Sequence, residues 1–182
     1  MKTNQKTLII AGYAGVGKSV LGKKYQNVLD LESSPYRWDY SNVDTDHEKL
    51  KGAKGRTPNK NYPQNYIDAI EKAKSEYDVI CVWMHFDHAI PVYVENNIDF
   101  VLCFPSLEAI KEYKNKYIER GNTKEFADHL IEIYEEIFKK CMAMPNEKII
   151  LGKGETLEAA LLKMGVKLIE KQHFRGLDLC KR

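Results

Sequence analysis

The sequence predicts an α/β fold in which one parallel sheet of five strands has helices on both faces. Five short apolar runs recur along the chain, and they are continuous rather than alternating, which is typical of strands buried on both faces. Helical segments separate most of these runs, and strands that alternate with helices form parallel sheets through right-handed crossovers. A chain of 182 residues suffices for one core of this kind, so we expect a single domain over 1–182.

The predicted strands are short runs rich in branched apolar residues. They cover 8–11, 28–31, 79–83, 100–104 and 148–151. Ligands of an open parallel sheet bind outside the carboxyl ends of its strands. The residues that directly follow each strand are therefore the first candidates for a functional site.

The predicted helices have residues typical of helix ends at their boundaries. Ser106, Thr123 and Thr156 can each cap an N-terminus, and Gly121 and Gly165 each follow a last turn. The helices cover 18–25, 66–76, 106–120, 123–141 and 156–164.

The segment 33–65 is irregular, with three prolines and a basic run that includes Lys49, Lys51, Lys54 and Arg56. It is too long for a plain connector in a compact domain. We expect it to be a functional insertion near the strand ends, because long loops in compact folds are often binding loops. The alternative is a solvated surface excursion.

Composition excludes several classes of protein. The net charge is +2, far below the positive charge expected of a protein that coats nucleic acid. The longest apolar stretch, 79–86, is too short to cross a bilayer, so we expect no membrane partner. The four cysteines lie far apart, which predicts a cytoplasmic protein without disulfides. They are Cys81, Cys103, Cys141 and Cys180.

A glycine-rich motif follows the first predicted strand and leads directly into a helix. It reads Gly12-Tyr13-Ala14-Gly15-Val16-Gly17-Lys18-Ser19 and fits G-x-x-x-x-G-K-[ST] at every specified position. Glycines let successive amide N–H groups point at phosphate oxygens. We expect Lys18 to reach the β- and γ-phosphates of ATP and Ser19 to bind Mg²⁺. The alternative is a simple strand-to-helix turn with an incidental lysine.

Other nucleotide-binding motifs are absent from the sequence. No Asp has a Gly three residues on, and Asn115-Lys116 is not followed by an Asp, so a GTP switch is disfavoured. The third strand leads into Met84-His85-Phe86-Asp87 instead of ending in Asp-Glu, which argues against a mechanical ATPase.

Two carboxylates, Asp30 and Glu32, mark the end of the second strand. Their spacing of two puts them on the same side of the strand end, where one can assist a metal ion and the other can accept a proton or position a substrate. Ordinary surface charges are the alternative.

With these residues the chain resembles the small-molecule and nucleoside monophosphate kinases of the P-loop class. Asp30-Leu31-Glu32 looks like the Asp-x-Asp of shikimate- and gluconate-kinase-like enzymes, with Glu in place of the second Asp. The resemblance implies a three-layer P-loop NTPase fold with sheet order 2-3-1-4-5. It also implies that Asp30 assists Mg²⁺ and that Glu32 faces the acceptor.

Kinases of this class close a basic lid over the transferred phosphoryl group, and the segment 111–124 is the candidate lid here. Lys116 and Arg120 are four residues apart and share one helix face. By resemblance, Arg120 is the first candidate for the residue that stabilises charge in the transition state. A solvated helix face is the alternative.

Acceptor recognition is predicted mainly within the insertion. Arg37 and Arg56 can pair with a phosphate, and Tyr66 and three other aromatic residues can stack on a base. These three are Tyr36, Trp38 and Tyr62. Alternatively, the aromatics pack the insertion against the domain.

Two further segments follow strands. Asp87, together with His85, is a candidate acceptor contact, and a transition-metal site there is disfavoured because the ligand set is thin. Gly152 and Gly154 resemble the loop that borders the adenine in such kinases; a simple turn is the alternative.

The sequence as a whole predicts a kinase that transfers a phosphoryl group from ATP, with Mg²⁺, to a nucleoside or nucleoside monophosphate. Two alternatives stay open. One is a polynucleotide end kinase, in which the basic run of the insertion binds a strand. The other is a non-enzymatic ATP-binding module.

Overall fold

The computed structural model describes residues 6–43 and 55–172. Within them the chain forms two sheets. The strands are β1 (Leu8–Gly12), β2 (Val28–Asp30), β3 (Trp38–Asp39), β4 (Thr57–Pro58), β5 (Val79–Trp83), β6 (Val101–Pro105) and β7 (Lys148–Leu151). The helices are α1 (Lys18–Lys24), α2 (Ser34–Arg37), α3 (Gln64–Ala73), α4 (Ile90–Glu95), α5 (Ile110–Glu119), α6 (Lys124–Glu132), α7 (Tyr134–Ala143) and α8 (Leu157–Lys163).

The main sheet has five parallel strands in the order β2-β5-β1-β6-β7, and β3 and β4 form a separate antiparallel pair. The predicted order, 2-3-1-4-5, was given in a numbering of only five strands. The strand numbers differ here because β3 and β4, which were expected to be loop, are numbered as well. Counted by themselves, the five sheet strands lie in the order second, third, first, fourth, fifth. Every residue of β6 is buried, so helices and loops cover both faces of the sheet at this strand.

The register brings the carboxyl ends of three strands to one edge. Gly12 at the end of β1 pairs with Trp83 of β5 and with Cys103 of β6, and Asp30 of β2 pairs with Cys81. The glycine-rich motif and the predicted carboxylates therefore meet at the edge where a ligand is expected.

The described cysteines lie in the core. Cys81, Cys103 and Cys141 are free and buried, and burial raises the pKa of Cys81 and of Cys141 to about 12. Thiols in this environment behave as small apolar residues. Cys180 lies outside the described residues.

Helix boundaries match the capping chemistry in part. The Thr123 and Thr156 side chains accept hydrogen bonds from the amides of Phe126 and Ala159, as predicted for N-caps. Ser106 accepts from the Ala109 amide, but α5 begins only at Ile110.

One further helix prediction is wrong, and two helices were not predicted at all. The helix predicted over 123–141 is two helices, α6 and α7, that meet at Ile133. The helices α2 and α4 were not predicted.

The predicted insertion 33–65 is only partly described. It contains α2, the β3–β4 pair and the first two residues of α3. Lys49, Lys51 and Lys54 of the basic run lie outside the described residues. Within the described ranges, no helix is long and apolar enough to cross a membrane.

Candidate functional site

Residues 12–17, the glycine turn, connect β1 to α1. Gly15 and Gly17 have φ values of 86° and 105°, a region that residues with a side chain rarely adopt. The amide of Tyr13 donates to the Cys103 carbonyl at 2.8 Å and so ties the turn to β6. Among the described residues, the N–H groups of Ala14, Gly15 and Gly17 have no hydrogen-bond partner. Unpartnered successive amides are the arrangement that binds an anion.

Two tyrosines of α5 brace the glycine turn. A Cβ atom on Gly15 would lie 2.9 Å from the Tyr113 ring and 3.0 Å from the Tyr117 ring, so the turn packs directly against this helix. The Tyr117 hydroxyl donates to the Ala14 carbonyl at 3.0 Å. Both tyrosine side chains are 3% exposed. This half of the predicted lid is therefore fixed to the turn.

A third tyrosine connects the turn to α6 and α7. Tyr13 donates to the Leu130 carbonyl at 3.3 Å, and its ring meets Tyr134 edge to face at 5.0 Å. Burial raises the pKa of Tyr13 to about 12, so the hydroxyl stays protonated as a donor. The turn is thus held by β6, α5, α6 and α7.

The Lys18 ammonium group lies across the glycine turn. It donates to the carbonyls of Gly12 at 2.7 Å and Tyr13 at 3.1 Å, and its third N–H has no partner in the described parts of the chain. Burial lowers the pKa of Lys18, while the nearby carboxylates of Asp30 and Glu32 act in the opposite direction. The Lys18 amino group therefore lies where the turn meets the end of β2, in contact with the backbone carbonyls of the turn.

Ser19 and Asp30 form a direct contact between α1 and β2. The Ser19 hydroxyl donates to Asp30 Oδ2 at 2.6 Å. This approach depends on Gly22, because a Cβ there would lie 3.0 Å from both the Cβ and the backbone nitrogen of Asp30. A hydroxyl and a carboxylate are the oxygen ligands that Mg²⁺ prefers, usually one or two from protein with phosphates and waters completing the shell. The pair fits the predicted magnesium site.

Glu32 lies two residues after Asp30, where it accepts a hydrogen bond from the Ser34 hydroxyl at 3.2 Å. The backbone beneath it is fixed by Tyr66, whose hydroxyl donates to the Leu31 carbonyl at 2.8 Å. Tyr66 has no exposed surface, and its ring packs in tilted arrangements against those of Tyr36 and Tyr93. This corrects the prediction that its ring stacks on a base, because a fully buried ring cannot reach one.

A cavity of about 830 Å³ opens in front of these residues. The polar part of its lining contains Lys18, Ser19, Asp30, Glu32 and Arg37. The apolar part, here called the apolar wall, contains Phe86, Phe126, Leu130, Ile133 and Ile137. This size and this mixture of surfaces are typical of small-molecule sites.

The apolar wall was not predicted from the sequence. Phe126, Leu130, Ile133 and Ile137 recur at the helical period on α6 and α7. Such a stripe usually packs in a core. The stripe lines the cavity because α6 and α7 lie beside the glycine turn, and this placement is not visible in the sequence.

The two predicted lid residues differ in position. Arg120 lines the cavity. Lys116 does not; its ammonium lies 4.4 Å from the centre of the Tyr113 ring. The structure therefore does not bring them together on the cavity, because α5 turns Lys116 onto its own tyrosine.

Arg37 and Arg56 also differ in whether they line the cavity. Arg37 lines the cavity together with Trp38 and Trp83, whereas Arg56 covers Trp38 at 4.4 Å without lining the cavity. Asp87 lines it too, next to His85. In the described residues, no group of three or more His, Cys, Asp or Glu side chains could hold a metal ion.

Gly152 and Gly154 lie at the carboxyl end of β7, outside the cavity lining. The Gly152 amide donates to Glu155 Oε2 at 2.8 Å, and the Gly154 amide faces Glu112 Oε2 at 3.4 Å. The turn is held by carboxylates, and its predicted place beside an adenine stays a prediction.

Compared with protein-family models, with curated proteins and with solved structures, the chain gives no match in any of the three. What the chain does must therefore be inferred from the geometry of its own site.

Proposed function

We propose that this chain is a kinase of the P-loop class that transfers the γ-phosphoryl group of ATP, with Mg²⁺, to a nucleoside or nucleoside monophosphate. The observation that carries the proposal is the glycine turn. Its unpartnered amides lie beside Lys18 and the Ser19–Asp30 contact, at the edge of a cavity of small-molecule size.

The donor side of the site is formed by the turn and α1. The N–H groups of Ala14, Gly15 and Gly17 bind phosphate oxygens, and Lys18 exchanges its bonds to the Gly12 and Tyr13 carbonyls for bonds to the β- and γ-phosphates. Ser19 and Asp30 would hold Mg²⁺. When bound, the ion supplies charge neutralisation at the phosphate oxygens.

The transfer itself breaks the bond between the γ-phosphorus and the β–γ bridging oxygen, and ADP leaves with that oxygen. A new bond forms between the γ-phosphorus and an acceptor oxygen. If this oxygen is a hydroxyl, Glu32 takes its proton; if it belongs to a phosphate, no proton transfer is needed. Arg120, which lines the cavity, stabilises the charge on the transferred group.

The test is an acceptor screen with γ-labelled ATP and the purified chain, with and without EDTA. Nucleosides, nucleoside monophosphates, small alcohols and oligonucleotide 5′ ends are the acceptors. We expect label in a nucleoside or nucleotide product and its loss with EDTA. Label in the oligonucleotide alone would identify a polynucleotide end kinase, and tight ATP binding without any labelled product would identify a binding module.

A further inference from the structure

Arg37 lies in a row of flat side chains at the edge of the cavity. Its guanidinium carbon is 4.8 Å from the centre of the Trp83 ring and 5.3 Å from that of Trp38. Trp83 continues the row to His85, at 4.9 Å between ring centres. Arg56 covers Trp38 at 4.4 Å. Contacts of this kind fix the orientation of a guanidinium group and cover its faces, so its N–H groups stay available along its edge.

The backbone that carries Arg37 is fixed as well. The Arg37 amide donates to the Ser33 carbonyl at 3.0 Å, and the Asn59 amide donates to the Arg37 carbonyl at 2.9 Å. The neighbouring Tyr36 carbonyl accepts from the Asn65 side chain at 2.8 Å. The position of the guanidinium is therefore set by protein contacts before any ligand binds.

The charge of Arg37 is not neutralised by the protein. In the described ranges no carboxylate forms an ion pair with Arg37, whereas Lys140, a second cation of the cavity lining, is paired with Glu136 at 2.8 Å. Burial and the neighbouring His88 lower the pKa of His85, Arg37 and Lys140 add smaller effects in the same direction, and Asp87 acts in the opposite direction. Arg37 is thus an oriented cation without an acidic partner, in a cavity that also contains Glu32 and Asp87.

We propose that Arg37, held between Trp38 and Trp83, binds a phosphate group of the acceptor, so that the acceptor is a nucleoside monophosphate and not an unphosphorylated nucleoside. This inference rests on the proposed function and narrows its acceptor. The guanidinium fork matches two phosphate oxygens, and Arg37 has no ion-pair partner in the described ranges, whereas Lys140 of the same lining is paired with Glu136.

The two tryptophans provide a direct binding signal. The chain contains two, Trp38 and Trp83, and both contact Arg37. Tryptophan fluorescence therefore reports ligand binding at this place without ATP and without any phosphoryl transfer. The titrants are adenosine, its 5′-monophosphate, its 3′-monophosphate and inorganic phosphate, followed by the same set for the other bases.

We expect a monophosphate to change the fluorescence at a concentration about 10- to 100-fold lower than the matched nucleoside, the range that one charge-assisted pair supplies. Arg37→Met should remove this preference, and Arg37→Lys should retain part of it. Lys72→Met, an exposed cation of α3 away from the cavity, is the matched control and should leave it unchanged. Circular dichroism melts verify that the variants fold; if Arg37→Met does not, a loss of at least threefold in Arg37→Lys carries the same conclusion.

The other outcomes of the fluorescence titrations show which phosphate of the acceptor binds at Arg37, or that none does. Preference for the 5′-monophosphate would mean that Arg37 binds the 5′-phosphate of the acceptor. Preference for the 3′-monophosphate would mean that Arg37 binds the 3′-phosphate and that the 5′-hydroxyl lies near Glu32. Either preference supports an anion site at Arg37. Equal binding of nucleoside and monophosphates would overturn it, as would an Arg37→Met variant whose affinity for ATP falls as much as its affinity for the monophosphate. A monophosphate preference without phosphoryl transfer to any acceptor would instead refute the proposed kinase activity.

Discussion

The two sides of the cavity are built differently. The glycine turn is packed against buried tyrosines and hydrogen-bonded to them over long sequence distances, as Tyr117 to Ala14 illustrates. The other side, around Arg37, rests on a four-residue helix and a two-residue strand pair, and its cations stack on tryptophans. The first side is a rigid frame for a ligand of fixed shape, and the second recognises its ligand with a few oriented groups.

The largest expected effect is on the rigid side. Lys18→Ala removes the cation that lies across the glycine turn, and we expect turnover to fall by about 10²- to 10³-fold, as for the loss of one transition-state donor. The melting temperature should change little. Lys23→Ala, an exposed lysine of the same helix, is the control and should retain full turnover. Equal turnover of the Lys18→Ala variant and the unmodified chain would exclude the mechanism.

The sequence predicted the strand, the glycine turn and the helix that follows it, because the motif is contiguous. Residues 12–17 form one turn whose shape depends on local glycine chemistry, Lys18 and Ser19 begin α1, and Asp30 ends the strand β2. The bracing tyrosines were not predicted, because Tyr117 and Ala14 are 103 residues apart and only the packed fold brings them together. Likewise, nothing in the sequence distinguishes the buried Tyr66 from an exposed aromatic residue.

The two helices that were not predicted, α2 and α4, do have a sequence signal at their N-termini. Both α2 and α4 carry a proline in their first turn, Pro35 and Pro91, a position where proline favours a helix start. The break between α6 and α7 at Ile133, by contrast, has no glycine or proline that would predict it. The order of the sheet strands followed from the family resemblance and not from strand chemistry.

The packing of the glycine turn against α5 can be tested by adding a side chain at Gly15. Gly15→Ala forces a side chain into a positive φ, which costs about 1–2 kcal/mol, and pushes it against Tyr113 and Tyr117, which costs about 1–3 kcal/mol more. Gly165→Ala meets the same backbone restriction but open space. Denaturant unfolding of both variants should therefore show a larger loss at Gly15. Equal losses would mean that the tyrosines do not constrain the turn.

The smallest expected effect comes from single hydroxyl removals on α5. Tyr117→Phe deletes the hydrogen bond to Ala14 and should lower the affinity for ATP by about 2- to 10-fold, with an equal or smaller effect on the acceptor. Tyr113→Phe removes a hydroxyl with no hydrogen-bond partner in the described residues, and it should be neutral. Isothermal titration with ATP compares the two, and an identical response of both variants would argue against the brace.

The central claim is that the glycine turn binds the phosphates of ATP, and amide NMR of the labelled chain tests it most directly. On titration with Mg²⁺ and ATP, the largest shifts should appear at the amides of Gly15, Gly17 and Lys18, while adenosine should leave these amides unchanged. If ATP shifts a different set of amides and leaves the turn unaffected, the account is contradicted.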